Sequence, residues 1–502
     1  MDSGAGHLWS VVHTMIEFMD WLPDQPQLNN KGVTIAENVI PMARGYRSLH
    51  GFEPVSNAAT GAIRGIFAGK DNTGIVTLFA GDDTKLYKYN SANNNLVDSS
   101  KSGGYALGGA DRWRFVQFGD KVLVAGGSGE ELQKYQLGVD TAFSDLSVSA
   151  PKADFIAVVR DQVWVASIDE GSGKIPFRTR WSAINDETGW TVGTDQSDFQ
   201  DIFGGDAGAI TGLVGGEFAT ILMERGIAVA QYVGSPLIYQ IDMVETSRGC
   251  KYKNSVANIG KTTFFISDDG FFSFDGRGAN PIGAEKVNRW WMNDVDTSKT
   301  DKMSAAVDPI NQIVCWSYVS NDSTDGEPDK MIIYHYVLGK WSIALVQAEL
   351  IAPFFTSGVT MEGLDNINSD MDSITGALDS IYRGGSFLFG GAYNSKIYAF
   401  NGDAMDATIE TAEFSLAKDR HTVVTRTVPA FEISGTGSVT MSIGSRDRQD
   451  DPVVYSTASA LTDEGFCQHR VQARFHRFKM QLTDNWQKAF AVDVEGRPLG
   501  RR

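Results

Sequence analysis

The chain has 502 residues, 42% hydrophobic and 21% charged, with 53 glycines against 14 prolines and a formal net charge of −18. Such a composition belongs to a packed protein with many tight turns, not to a disordered one. The acidic balance excludes wholesale wrapping of nucleic acid, which needs a surplus of Lys and Arg to neutralise phosphates; it favours solubility and mutual repulsion of unassembled copies.

A prior of roughly 150 residues per domain suggests three domains, but a closed ring of small sheets holds a long chain as one body. Cys250, Cys315 and Cys467 lie far apart and are odd in number, which fits buried thiols in a reducing compartment, not a disulfide framework or a CxxC metal site. The start, MDSGAGHLWSVVHTM, lacks the basic and apolar regions of a signal peptide. No stretch reaches the roughly 18 apolar residues of a membrane span.

In chain order, WLPDQPQLNNKGVTIAENVIPMARGYRSLHGFEP comes first. Pro23, Pro26 and Pro41 forbid a long helix there, because proline removes a donor and pushes the preceding residue to extended geometry. Residues 1–55 therefore read as an extended arm lying over something else. Residues 56–405 alternate strands and turns. AIRGIFAGKDNTGIVTLFAGDDTKLYKYN, WRFVQFGDKVLVAGG, DFIAVVRDQVWVAS and AITGLVGGEFATILMERGIAVAQYVG are hairpin units. VANIGKTTFFISDDGFFSFDG, MSAAVDPINQIVCWSYVS with MIIYHYVLGKWS, and SFLFGGAYNSKIYAFNG continue the series, so six or seven units fit. One such unit cannot cover its own apolar face, and the arrangement that leaves few open edges is a ring of blades. The fold class is all-β, a β-propeller; a pair of sandwiches is the alternative all-β plan.

Within the fifth unit, ISDDGFFSFDG reads as two blade strands joined by an Asp-Gly turn, since such turns need positive φ. Its acidic residues lack the spacing of an EF-hand loop or a sialidase-type Asp box. Residues 361–382 interrupt the series with partly helical spacing through Met371, Ile374, Leu378 and Ile381, an insertion that could carry one helix. Trp113, Trp181, Trp190, Trp290, Trp291 and Trp341 read as blade-core wedges, with a ligand cage as the rival.

Residues 406–502 change to longer strands with charged faces and read as a C-terminal β platform. In HRVQARFHRFKMQL the apolar parity shifts between Val471, Ala473, Phe475 and Phe478, Met480, Leu482, which a β-bulge near His476 and Arg477 would reconcile. His421, His469 and His476 show no metal spacing and read as solvated strand positions. Neither GxSxG nor a P-loop nor a Rossmann fingerprint is present. Arg470, Arg474, Arg477 and Lys479, followed by Lys488, Arg497, Arg501 and Arg502, form the one basic concentration; the first four are a candidate subunit-interface or DNA-proximal face, with a solvated strand face plus a ragged terminus as the plain alternative. On the first reading, changing Arg474 and Arg477 to Glu together impairs assembly and leaves the monomer folded.

Four segments carry a family resemblance: WLPDQPQLNNKGVTIAENVIPMARGYRSLHGF, RWSAINDETGWT, SRGCKYKNSVANIGKTTFFISDDGFFSFDG and RVQARFHRFKMQL. The chain resembles the tail hub or nozzle proteins of short-tailed bacteriophages, also called head-completion or DNA-stabilisation proteins. The resemblance implies a propeller with a platform in a homo-oligomeric ring, a hexamer, below the portal-adaptor protein. Such a ring holds packaged DNA, touches it transiently during ejection, and meets a tail fibre, spike or needle protein distally. It implies a virion location, assembly in the host cytoplasm, a structural role without enzymatic activity, and no cofactor or metal. Two rival functions are a propeller hydrolase or glycan-binding tail component, and a soluble propeller scaffold; propellers host all of these.

Overall fold

The structure is a computed structural model that describes residues 12–28, 30–203, 205–358, 384–417, 420–435 and 437–499. The expected insertion at 361–382 lies outside the described residues.

Among the described residues the repeated hairpins close into seven antiparallel four-stranded blades. The first runs from Gly65–Lys70 to Asn95–Asp98, the second from Arg114–Phe118 to Ser144–Asp145, and the third from Lys152–Val159 to Asp198–Asp201. The fourth runs from Ile210–Val214 to Ile238–Glu245, the fifth from Ala257–Ile259 to Ala279–Pro281, and the sixth from Ser304–Asp308 to Lys340–Leu345. In the seventh, Leu350–Phe355, Phe387–Tyr393 and Lys396–Ala404 are joined by His50–Pro54 as the outermost strand. The innermost strands of the seventh and first blades lie side by side, so the sheets form a ring, a β-propeller.

The last blade is completed from the start of the chain. Phe52 pairs with Phe400 in register and its ring packs against Tyr398 at 4.8 Å and Phe400 at 4.6 Å. The other strands of the arm also pair. Val12–Glu17 runs antiparallel to Trp486–Pro498, and Val39–Pro41 with Tyr46–Ser48 extends the same sheet, which continues through Thr422–Ile433 to Cys467–Ala473. Val33–Glu37 joins the sixth blade, by a parallel step at Ile343, to Ala407–Thr411, Phe475–Thr483 and Ser438–Arg446. The sixth blade and one platform sheet are thus one ten-stranded sheet.

Asn38 is the pivot of that joint. Its φ of +59° turns the chain out of one sheet and into the next, and its amide donates to the Ile343 carbonyl at 2.7 Å. Its side chain accepts from the Leu345 amide at 2.8 Å and donates to the Asp406 carbonyl at 2.8 Å. Propeller and platform also share one apolar core, in which Phe271, Trp316 and Trp341 of the blades join Trp21, Met441, Phe478 and Trp486.

The parity shift in HRVQARFHRFKMQL has a different cause from the expected bulge. Cys467–Ala473 pairs with Thr422–Ile433 in one platform sheet, while Phe475–Thr483 pairs in unbroken register with Ser438–Arg446 in the other. The chain crosses between the sheets at Arg474. Because the two sheets face each other over one core, the inward parity reverses at the crossing.

The fifth-blade turn is also centred differently. Ser267 pairs with Gly270, leaving Asp268 and Asp269 as the turn residues, and Gly270 follows at φ +122°. A Cβ on Gly270 would stand 2.1 Å from Asn288 Nδ2, so this position has no room for a side chain. Of the six tryptophans read as wedges, five are buried; Trp290 is half-buried and meets Trp21 edge-on at 4.9 Å. Among the described residues no helix is long and apolar enough to cross a membrane.

Candidate functional site

The four basic residues singled out in the sequence do not form one face. Arg470 and Arg474 are exposed, Lys479 is half-buried with its ammonium 5.7 Å from the Tyr455 ring, and Arg477 is buried. Arg477 lies 3.2 Å from Glu413 Oε2 and 3.6 Å from Glu410 Oε1, and it donates to Gln27 Oε1 of the N-terminal segment. Arg446 Nε reaches the same Glu413 oxygen at 2.8 Å, and the Tyr455 hydroxyl donates to Glu410 Oε2 at 2.8 Å. This is a buried ionic network that fixes the arm to the platform. Arg477 is therefore corrected from a surface contact to an internal tie, and a glutamate there would add a third carboxylate to Glu410 and Glu413.

Two of the three histidines also differ from the solvated positions expected. His476 is fully buried and His469 nearly so. Burial pushes both imidazoles down to about 4, since charge is disfavoured away from water. His469 Nε2 lies 3.0 Å from the Thr427 hydroxyl. Among the described residues no group of three or more His, Cys, Asp or Glu could hold a metal. The three cysteines are free and buried, with the Cys250 and Cys467 thiols pushed up to about 11 by burial.

A polar cavity lies on the propeller axis, a place the sequence does not mark. This cavity of about 510 Å³ is lined by residues on or next to the innermost strands of all seven blades. Arg64, Arg112, Arg114 and Lys253 project there, with Asn254 and Phe155 beside them. A second cavity of about 510 Å³ adjoins it, sharing Val256, Asn258 and Ala305, and is apolar through Phe67, Phe354, Phe355 and Phe387. The basic groups come from blades one and two and from the segment leading into blade five, and the apolar lining from blades one, five, six and seven.

The local ladder explains the placement. Arg64 directly precedes the first strand of blade one and Arg114 opens that of blade two, so neighbouring blades each deliver a guanidinium at the start of the inner strand. A basic residue beside the start of two inner strands, Arg64 in AIRGIF and Arg114 in RWRFVQF, was the signal available in the sequence. Arg114 stacks over the Phe155 ring at 4.5 Å and donates to Asn254 Oδ1 at 2.9 Å. Arg112 donates to the Lys302 carbonyl at 2.8 Å, and Arg64 to the Gly108 carbonyl at 2.5 Å. Lys253 pairs with Asp154 at 3.0 Å, and Lys174 meets the same carboxylate oxygen at 2.6 Å.

Desolvation, and for Arg112 the neighbouring Arg114, lowers the proton affinity of both guanidinium groups, Arg112 to about 10. Both side chains keep partial solvent contact along the channel, and both are charged at neutral pH. Beside the channel, a smaller pocket of about 260 Å³ gathers Asp111, Asp301, Glu327 and Glu349 with Arg64, Arg112 and Lys302. Burial, with Glu327 adding repulsion, raises the Glu349 carboxyl above the usual carboxylate range.

No protein-family model and no curated protein matches the chain. Among solved structures, the Neurospora crassa Pan2 WD40 domain is similar at 8% identity and a TM-score of 0.35, covering 59% of this chain and 83% of that one. The exo-β-1,3-galactanase of Phanerochaete chrysosporium is similar at 10% identity and a TM-score of 0.25, covering 79% and 98%. The Bacteroides ovatus xyloglucan PUL GH43B is similar at 9% identity and a TM-score of 0.23, covering 77% and 97%. Glycoside hydrolases stand among these neighbours, which corrects the expectation that the chain is not an enzyme: that exclusion does not hold. By its own sheet order the chain is an all-β propeller joined to a β platform.

Proposed function

We propose that the chain is a tail hub or nozzle subunit of a short-tailed bacteriophage. It forms a ring, a homohexamer, below the portal-adaptor protein in the virion, retains packaged DNA and forms part of the ejection channel. The observation that carries this reading is where the family-like segments fall. Three of the four contribute to the core shared by propeller and platform, through Trp21 and Val33, through Phe264 and Phe271, and through Phe478 and Met480. A subunit that must hold its shape under packaged DNA needs such a shared core, because a flexible linker would let the two parts move independently.

The test is quantitative mass spectrometry of gradient-purified particles, scaling this chain against the portal protein. A ratio near one chain to two portal chains is expected for a six-fold ring under a twelve-fold portal. Absence from particles overturns the reading and leaves a propeller scaffold or hydrolase.

A second reading, a propeller that cleaves or binds glycans, is favoured by the carboxylate pocket beside the channel. Glycoside hydrolysis needs two facing carboxyls, one kept protonated by its surroundings. Glu349, with its raised affinity for a proton, is suited to the acid role, and Asp111, Asp301 and Glu327 share its pocket. Glycan cleavage that disappears in Glu349→Gln supports this; cleavage unaffected by Glu349→Gln overturns the acid role of Glu349, and wild-type protein that neither cleaves nor binds host glycan overturns the reading.

A further inference from the structure

We propose that the basic end of the propeller channel is a binding site for a small, multiply charged oxyanion, a phosphate or a carboxylate, held by Arg64, Arg112 and Arg114. The inference is independent of the tail reading and rests on the balance of charge and donors along the axis.

Each guanidinium presents five N–H donors. Among the described residues, each of the three makes one hydrogen bond from this set, to Gly108, Lys302 or Asn254, and all three acceptors are neutral. None forms an ion pair with a carboxylate, although the protein carries far more acidic than basic residues. Asp154, the acidic side chain closest in role, is already held by Lys174 and Lys253, leaving that trio with a net positive charge. Asp154 and Asp111 attract Arg114 and Asp301 attracts Arg112 from a distance, and Glu327 and Glu349 share the smaller pocket with Arg64 and Arg112, all without pairing with these three arginines.

Like charges brought together inside a half-enclosed cavity repel strongly, because the surrounding protein screens them poorly. Arg112 feels both Arg114 and Arg64 in this way. An anion seated among them relieves that repulsion and takes up the spare donors, and guanidinium forks match the paired oxygens of phosphate and carboxylate. The cavity, about 510 Å³, lies in the range of small-molecule sites. Phe155 and Val256 give a ligand an apolar wall next to the charged groups.

The experiment is isothermal titration of the full-length chain with inorganic pyrophosphate and, separately, citrate. Saturable binding of one molecule per chain is expected, weakened roughly tenfold or more in Arg112→Gln/Arg114→Gln and unchanged in the surface variant Arg470→Gln. Pyrophosphate binding alone assigns the site to phosphates, citrate binding alone to carboxylates, and binding of both to oxyanions generally. Should the double variant misfold, Arg64→Gln, whose side chain sits at the channel mouth, carries the same expectation. Wild-type protein that binds neither probe, or variants that bind as wild type does, overturn the proposal.

Discussion

Arg477 and Arg470 look alike in the sequence and differ most in consequence. Removing a member of a buried ionic network leaves its partners charged and unpaired. Arg477→Ala is therefore expected to destabilise the protein by about 3–5 kcal/mol, and Arg477→Glu by at least as much, read as a shift in urea midpoint. Arg470→Glu should stay within about 0.5 kcal/mol of wild type. The reason this was illegible is distance along the chain: Glu410 lies on another strand, Glu413 just beyond its end, and Gln27 in the N-terminal segment. A basic run records charge but not which residues face inward, and the crossing at Arg474 reverses that assignment. The channel arginines escaped notice for the complementary reason, since ring closure brings together residues from separate repeats.

His476 gives the residue scale a pH test. Its folded-state affinity is depressed, to about 4, against an unfolded value near 6.5. Above about 6.5 neither state binds the proton and no stability is lost. Between about 6.5 and 4 the unfolded chain takes up a proton that the folded one refuses, so stability falls as pH falls. At pH 5 the loss from this group is about 2 kcal/mol. His476→Phe, which keeps a ring beside Phe478 (6.5 Å between centroids in the native pair), should flatten the decline in denaturation midpoint between pH 7 and pH 5. An unchanged slope would mean that other groups control acid stability.

At the scale of the element, the hairpins were legible because turn chemistry is local. Gly270 follows its turn as Gly must, and the neighbouring helix Asn288–Asp294 closes over it: Asn288 Nδ2 donates to the Asp269 carbonyl at 2.9 Å. Gly270→Ala forces both a strained backbone and a displaced Asn288, a cost of about 1–3 kcal/mol in thermal unfolding. The same helix shows what local reasoning cannot reach. Its first-turn amides on Arg289 and Trp290 donate to Asp24 at 2.9 and 2.7 Å, so its N-terminal cap comes from the arm. Asp24→Ala should cost about 1 kcal/mol, and combined with Gly270→Ala the two should fail to add, because both act through one helix end. The outermost strand of the last blade was hidden likewise: HGFEP has no pattern of its own that marks it as the partner of Lys396–Ala404.

For the whole molecule, the decisive feature is that propeller and platform share a sheet and a core. Two domains joined by a linker unfold separately, whereas parts that interrupt each other's cores unfold together. The buried thiols report on this at three places. Cys315 sits in the sixth blade, Cys250 packs between the fourth and fifth blades, and Cys467 lies in the platform. Burial holds each as an unreactive thiol in the folded protein, because the thiolate is the nucleophile and its formation is suppressed. With a maleimide pulse at increasing urea, followed by peptide mass spectrometry, all three should become modifiable at one denaturant concentration. Earlier modification of Cys467 would mean that the platform opens while the ring stays closed, and the arm would then be a tether. Coincident modification would make the N-terminal segment the element that binds ring and platform into one cooperative body, since it supplies strands to both.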